Sequence, residues 1–63
     1  MCLSTVYKNN MNDESVIMKY VASIALDGKI VILTDLMDRK CTVEGTLKEA
    51  NLVDGYVILD IKE

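Results

Sequence analysis

Two cysteines, Cys2 and Cys41, are the side chains of this 63-residue sequence best suited to metal binding or nucleophilic chemistry. A thiolate is a soft metal ligand, and removal of Met1 would give Cys2 a free α-amine as well. An α-amine with a pKa of about 7.7 to 8.0 loses its proton readily, so amine and thiolate together can chelate a borderline metal. We hypothesise that Met1 is removed in the cell and that Cys2 is the functional cysteine.

Cys41 lies within a β-prone run and has no such second donor. In a reducing cytosol, two cysteines are more often free thiols or metal ligands than partners in a disulfide. We interpret Cys41 as a small residue that fills space in a strand.

Catalytic residues are otherwise scarce, because the chain contains no histidine, which is the commonest general base and metal ligand. Its three glycines stand singly, so no phosphate-binding loop is present. A nucleophilic Cys2 would have only an amino-terminal amine as its base. We therefore expect a protein that is not an enzyme, and a single chain that has too few side chains to complete a metal site.

Charge and hydropathy narrow the class of protein further. Ten acidic and seven scattered basic residues give a net charge of −3, which disfavours nucleic acid as a partner. The first residues lack a basic segment, and no apolar run approaches the ~18 residues of a membrane span. We expect a cytoplasmic protein with no membrane partner.

The length limits how much apolar surface a single chain can bury. A chain of this size forms a single domain, residues 1–63, and buries only about 60% of its unfolded surface. Hydrophobic residues make up 51% of the chain without Phe or Trp, so Val, Ile and Leu must form the core. We expect the chain to gain further stability by forming a homo-oligomer.

The segments that position the cysteines are predicted to be strands. Alternation predicts a first strand over residues 2–7, followed by a polar loop over residues 8–14. Residues 15–26 fit a strand or a helix, but the Asp27-Gly28 pair that follows predicts a tight type I′ turn and favours the strand. Counting away from that turn gives three opposed pairs: Leu26 with Lys29, Ile24 with Val31, and Ala22 with Leu33. We expect the last two pairs to face the core, and a strand layer or second subunit to cover the other face of residues 30–33.

Asp54-Gly55 predicts a second hairpin of the same kind. Its predicted pairs are Leu52 with Val57, Ala50 with Leu59, Lys48 with Ile61 and, on the other face, Glu49 with Asp60. The Glu49 and Asp60 carboxylates would form either a cation site or, the interpretation we prefer, a solvated edge or a shift in register. Gly45 is expected to be a kink or bulge in a strongly bent strand. The predicted fold is all-β, a small, partly open antiparallel barrel of five or six strands, SH3-like or Sm-like.

Four segments, in this order and spacing, resemble the CooT family over almost the whole chain. They are Met1-Cys2-Leu3-Ser4-Thr5-Val6-Tyr7, Val21-Ala22-Ser23-Ile24 before Asp27-Gly28, Leu33-Thr34-Asp35-Leu36, and Leu52-Val53-Asp54-Gly55-Tyr56-Val57-Ile58-Leu59. Members of that family are small nickel-binding proteins linked to maturation of carbon monoxide dehydrogenase, and the group is also labelled predicted RNA-binding. Cys41 is not part of the pattern.

The resemblance implies that Cys2 is a Ni(II) ligand and that two copies of it meet around one metal in a homodimer. Two thiolates and two nitrogens would suit the square-planar preference of Ni(II). The expected function is that of a nickel-binding accessory protein that serves a client nickel enzyme. The alternatives are a barrel-type RNA-binding module and a maturation chaperone that contacts its client through Cys2, as in the similar hydrogenase-maturation chaperones that also open Met-Cys.

Overall fold

The computed structural model describes residues 3–61, which form a closed barrel of five strands in chain order. The strands are β1 (Ser4–Lys8), β2 (Val16–Asp27), β3 (Ile30–Asp35), β4 (Lys40–Asn51) and β5 (Tyr56–Ile61), with one 3₁₀ turn at Asp13–Ser15. The all-β prediction is confirmed, as is the choice of strand over helix for residues 15–26.

One junction of the barrel is parallel. β1 pairs antiparallel with β2 and parallel with β5, and the other three junctions are antiparallel. In a ring of five consecutive neighbours, strand directions cannot alternate all the way round, so one junction has to be parallel. The Thr5–Tyr56 and Lys8–Leu59 pairs form that junction and close the barrel.

The first hairpin lies where it was predicted, but its register was wrong by two residues. Asp27 pairs with Ile30, so the loop is Gly28 and Lys29. Gly28 has a φ of 63° and Lys29 is not among the residues of positive φ, which excludes the type I′ turn that needs both. A two-residue shift keeps side chains on the same face, so Val31 and Leu33 still point into the core.

A bulge in β2 changes which residues face inward near its middle. The register slips between Val21 and Ser23, and Tyr20 takes a φ of 57°. Val21 is consequently buried and Ala22 is exposed, the reverse of the predicted core pair of Ala22 with Leu33. An extra residue in one strand moves the side chains that follow it to the other face.

The second hairpin has a longer loop than predicted, because Asn51 caps it. Its Oδ1 accepts hydrogen bonds from the backbone N–H groups of Val53 (3.0 Å) and Asp54 (2.8 Å). β5 therefore starts at Tyr56, paired with Asn51, and the predicted register is wrong. The pairs observed in place of the predicted ones are Ala50 with Val57, Leu47 with Leu59, Gly45 with Ile61, Glu49 with Ile58, and Thr46 with Asp60.

Gly45 is the position at which β4 changes partner. Its first half pairs with β3 up to Glu44, and from Gly45 onward it pairs with β5. A Cβ atom on Gly45 would lie 2.5 Å from the Asp60 carbonyl oxygen, so the two strands can approach only where the side chain is absent. The irregularity in β4 register falls later, between Leu47 and Glu49, and not at Gly45 itself.

The core is aliphatic, as the composition required. Its buried members are Val6, Val21, Val31, Leu33, Val57 and Leu59, with Cys41 and Val43 of β4 packed partly against them. On the other face of β3, Ile30 and Ile32 are half-buried.

Candidate metal centre at the start of β1

Cys2, the predicted metal ligand, lies outside the described residues, so the site is built from the residues that follow it. The start of β1 is held on both sides. Ser4 is opposite Val21 of β2, and the Thr5 N–H donates to the Gly55 carbonyl oxygen at 3.0 Å. The start of β1, two residues after Cys2 in the sequence, is therefore well anchored in the barrel.

A groove of about 260 Å³ opens beside this anchor. Ser4, residues 21–24, Leu52 and Val57 line it. Leu52 and Val53, in the loop before β5, are 75% and 91% exposed. The surface beside the start of β1 is thus mainly apolar, and part of it is exposed.

Asp35 organises the neighbouring β3–β4 turn and is itself only 5% exposed. Its Oδ1 accepts hydrogen bonds from the backbone N–H groups of Met37 (2.9 Å) and Arg39 (2.8 Å), and its Oδ2 accepts from Arg39 Nε at 2.8 Å. The backbone hydrogen bond from Arg39, above all, holds the pKa of Asp35 below its usual value, against the opposing effect of desolvation. Asp35 also lies opposite Val21, so this turn and the start of β1 share one neighbour.

This role of Asp35 was not predicted from the sequence. A signal was present, because an Asp at the end of a strand and before a short polar turn commonly accepts hydrogen bonds from backbone groups two to four residues later.

Cys41 lies on β4 opposite Leu33, half-buried and packed against the core as a free thiol. This packing is what we expected of a small residue that fills space in a strand. The pairing of Glu49 with Asp60 does not form, and the shift in register that was part of the preferred interpretation is confirmed between Leu47 and Glu49. Glu49 is opposite Ile58 and accepts a hydrogen bond from the Tyr56 hydroxyl at 2.7 Å. That hydrogen bond raises the pKa of Tyr56.

Within residues 3–61, no group of three or more His, Cys, Asp or Glu side chains is placed to hold a metal ion. The same residues include no helix that is both long and apolar enough to cross a membrane.

Comparison with known proteins gives two findings. The family model for the CO dehydrogenase accessory protein CooT matches residues 1–60. A crystal structure assigned to a CooT from Carboxydothermus hydrogenoformans superimposes with a TM-score of 0.83 at 16% sequence identity, covering 98% of this chain and 100% of the other. At that identity the likeness shows the fold alone. No curated protein sequence matches this chain.

Proposed function

Because this chain belongs to the CooT family of CO dehydrogenase accessory proteins, we propose that it binds Ni(II) through Cys2 of two chains and supplies it to the client enzyme. The observation that carries the proposal is the family match, which extends over residues 1–60 and so includes Cys2. Nickel is the cargo of this reaction and leaves with the client.

The shortage of metal ligands in one chain supports a site shared between two chains. The described part of one chain offers no three-residue metal cluster, and the whole chain lacks histidine. Cys41 is packed against the core, on β4. Two Cys2 thiolates, each with a nitrogen from its own amino terminus, would make up the S₂N₂ set that Ni(II) accepts in a square plane.

Chain geometry supports a meeting of two amino termini. Two peptide units span at most about 7 Å, so the Cα atom of residue 2 must lie within that distance of the Ser4 Cα atom. Two Cys2 residues that share a metal would bring the starts of the two β1 strands, and the exposed Leu52 and Val53 of the nearby loop, toward a second copy. Burial of those side chains would also stabilise a dimer of this small domain.

A titration with Ni(II) tests the proposal. We expect about one Ni(II) per two chains, with thiolate charge-transfer absorbance, because one chain supplies one suitable thiol and no imidazole. Cys2→Ser should abolish tight binding without unfolding the protein, whereas the control Cys41→Ser should bind nickel nearly as the wild type does. Binding should weaken as the pH falls below neutral, since thiol and amine must both lose protons.

Two outcomes would contradict the proposal. One is loss of nickel binding in Cys41→Ser equal to that in Cys2→Ser, and the other is tight binding of one nickel by each monomeric chain. Mass spectrometry of the natively expressed protein should find Met1 absent, because only then is the Cys2 amine free to coordinate.

A further inference from the structure

The loop between β4 and β5, residues 52–55, is held by one side chain. Asn51 Oδ1 accepts hydrogen bonds from the backbone N–H groups of Val53 (3.0 Å) and Asp54 (2.8 Å), and Asn51 Nδ2 donates to Asp54 Oδ2 at 3.1 Å. The Gly55 N–H donates to the Asn51 carbonyl oxygen at 2.9 Å. Three of the four loop residues are therefore hydrogen-bonded to Asn51.

Apolar packing contributes little to the shape of this loop. Its two large apolar side chains, Leu52 and Val53, are 75% and 91% exposed, and Asp54 is exposed as well. Gly55 has no side chain to bury, and its φ of 79° lies in the region that favours glycine. The conformation of the loop thus depends mainly on the hydrogen bonds that Asn51 makes.

The loop in turn contacts the start of β1. The Gly55 carbonyl oxygen accepts a hydrogen bond from the Thr5 N–H at 3.0 Å, where the parallel junction of β1 with β5 begins. The two backbones are also close just before this point, since a Cβ atom on Gly55 would lie 3.4 Å from the Leu3 carbonyl oxygen. Contacts therefore connect Asn51 through Gly55 to the start of β1.

The other side of β1 is paired less regularly. Pairing with β2 is interrupted twice, between Ser4 and Val6 and between Val6 and Tyr7. Pairing with β5 runs without interruption over four successive residues, from Thr5 to Lys8. Because such irregularities disrupt the hydrogen-bonded ladder, β1 takes its position chiefly from β5 and from the loop that precedes β5.

We propose that Asn51 is a positioning residue for the metal-binding amino terminus: it fixes the loop of residues 52–55, and the loop fixes where β1 begins. The inference rests on the nickel function proposed above, because Cys2 precedes the start of β1 by two residues. Asn51 is assigned no contact with the metal. Residues that orient metal ligands from outside the coordination sphere commonly contribute about 10- to 100-fold to metal affinity.

Two variants of the full chain test the inference. Asn51→Ala removes all three hydrogen bonds of the side chain. Asn51→Asp combined with Asp54→Asn exchanges the two side chains, so it can restore each of those hydrogen bonds at an unchanged net charge. In a nickel titration, Asn51→Ala should bind at least about ten-fold more weakly than the wild type, and the exchange variant should regain most of the lost affinity.

Asn12→Ala is the matched control, because Asn12 caps a different turn in the same way. Its Oδ1 accepts a hydrogen bond from the Glu14 N–H at 3.0 Å, in the segment that follows the end of β1. Loss of this cap leaves the contacts of Asn51 and Gly55 unchanged. This variant should therefore bind nickel as the wild type does.

Hydrogen exchange in the absence of nickel reports the positioning directly. The Thr5 amide, which donates to the Gly55 carbonyl oxygen, should exchange at least about ten-fold faster in Asn51→Ala than in the wild type. The Leu33 amide in the buried part of β3 should be accelerated much less. A purely structural role of Asn51, which would lower the stability of the whole barrel, would accelerate both amides to the same extent.

The inference is overturned if Asn51→Ala binds nickel like the wild type, if the exchange variant regains no affinity, or if Asn12→Ala loses as much affinity as Asn51→Ala. Equal acceleration of the Thr5 and Leu33 amides would overturn it as well. If the wild type binds no nickel while Asn51→Ala selectively releases the Thr5 amide, the proposed nickel function fails and the positioning of β1 by Asn51 holds.

Discussion

Asp35 is the one buried charged side chain among residues 3–61, and it is satisfied by three hydrogen bonds from residues of its own turn. Two of the donors are backbone N–H groups. A carboxylate in this position stabilises the turn because it is ionised, and an amide at the same site would lose the contact with Arg39 Nε. The turn that presents Leu36 and Met37 therefore depends on one charge.

Asp35→Asn should lower stability at neutral pH, and the loss should depend on pH in a defined direction. The pKa of Asp35 is lower in the folded state than its ordinary value of 3.8, so ionised Asp35 stabilises the fold above that pH. Its contribution disappears as the pH falls through the folded-state pKa. Urea denaturation from pH 7 to pH 3 should show the difference between wild type and variant constant at first and then narrowing below about pH 4.

Asp38→Asn is the matched control, because Asp38 is exposed in the same turn and Asn tolerates its φ of 65°. This control should unfold at nearly the wild-type urea concentration at pH 7. A stability difference for Asp35→Asn that widens as the solution is acidified would show that the carboxylate is not what holds the turn.

Tyr20 provides a second test at the level of a single residue. Its positive φ costs on the order of 1–3 kcal/mol, and its exposed ring recovers little of that through burial. Tyr20→Asn should therefore be more stable than Tyr20→Val by at least about 1 kcal/mol, since both remove the ring and only Asn tolerates the left-handed region. Equal free energies of unfolding for the two variants would mean that this backbone carries no strain.

Among the strands, β4 depends most on one small residue. Gly45→Ala should destabilise the barrel by about 1–3 kcal/mol, because its Cβ would meet the backbone carbonyl oxygen of Asp60 at 2.5 Å. Gly28→Asn is the control, because nothing lies within 4 Å of a Cβ there and Asn tolerates its φ of 63°. Thermal unfolding of both variants distinguishes a steric requirement at Gly45 from a general need for glycine.

The two hairpins show how far sequence patterns define an element. Asp27-Gly28 and Asp54-Gly55 located the turns before β3 and β5, but each register was wrong by two residues near its turn. The alternation of apolar and polar residues cannot detect such a shift, because a shift of two residues keeps every side chain on the same face of the strand. The side chain of Asn51 caps the second loop, and this contact is not contained in a pattern of hydrophobicity.

At the scale of the whole molecule, the five-strand barrel was predictable and its closure was not. Short β-prone runs, single glycines and an aliphatic core indicated a small barrel, while the parallel pairing of β1 with β5 depends on an odd number of strands meeting in a ring. The candidate site was predictable only as Cys2. The groove beside Ser4 and the turn held by Asp35 come from strands far apart in sequence.

Six buried side chains form the core among residues 3–61, which is small for independent stability. A dimer that buries the exposed residues near the start of β1 would add to that core and bring two amino termini together. Stability and nickel binding are then properties of the same assembly. If two chains share the metal site as proposed, dilution of the protein should weaken both together.

X-ray absorption spectroscopy at the nickel edge of the loaded protein tests the central claim most directly. We predict a four-coordinate nickel with about two sulfur and two nitrogen neighbours, as the square-planar preference of Ni(II) requires. In Cys2→Ser the sulfur neighbours should disappear, and in Cys41→Ser they should remain. A first shell of oxygen and nitrogen alone in the wild type, or sulfur neighbours that persist in Cys2→Ser, would contradict it.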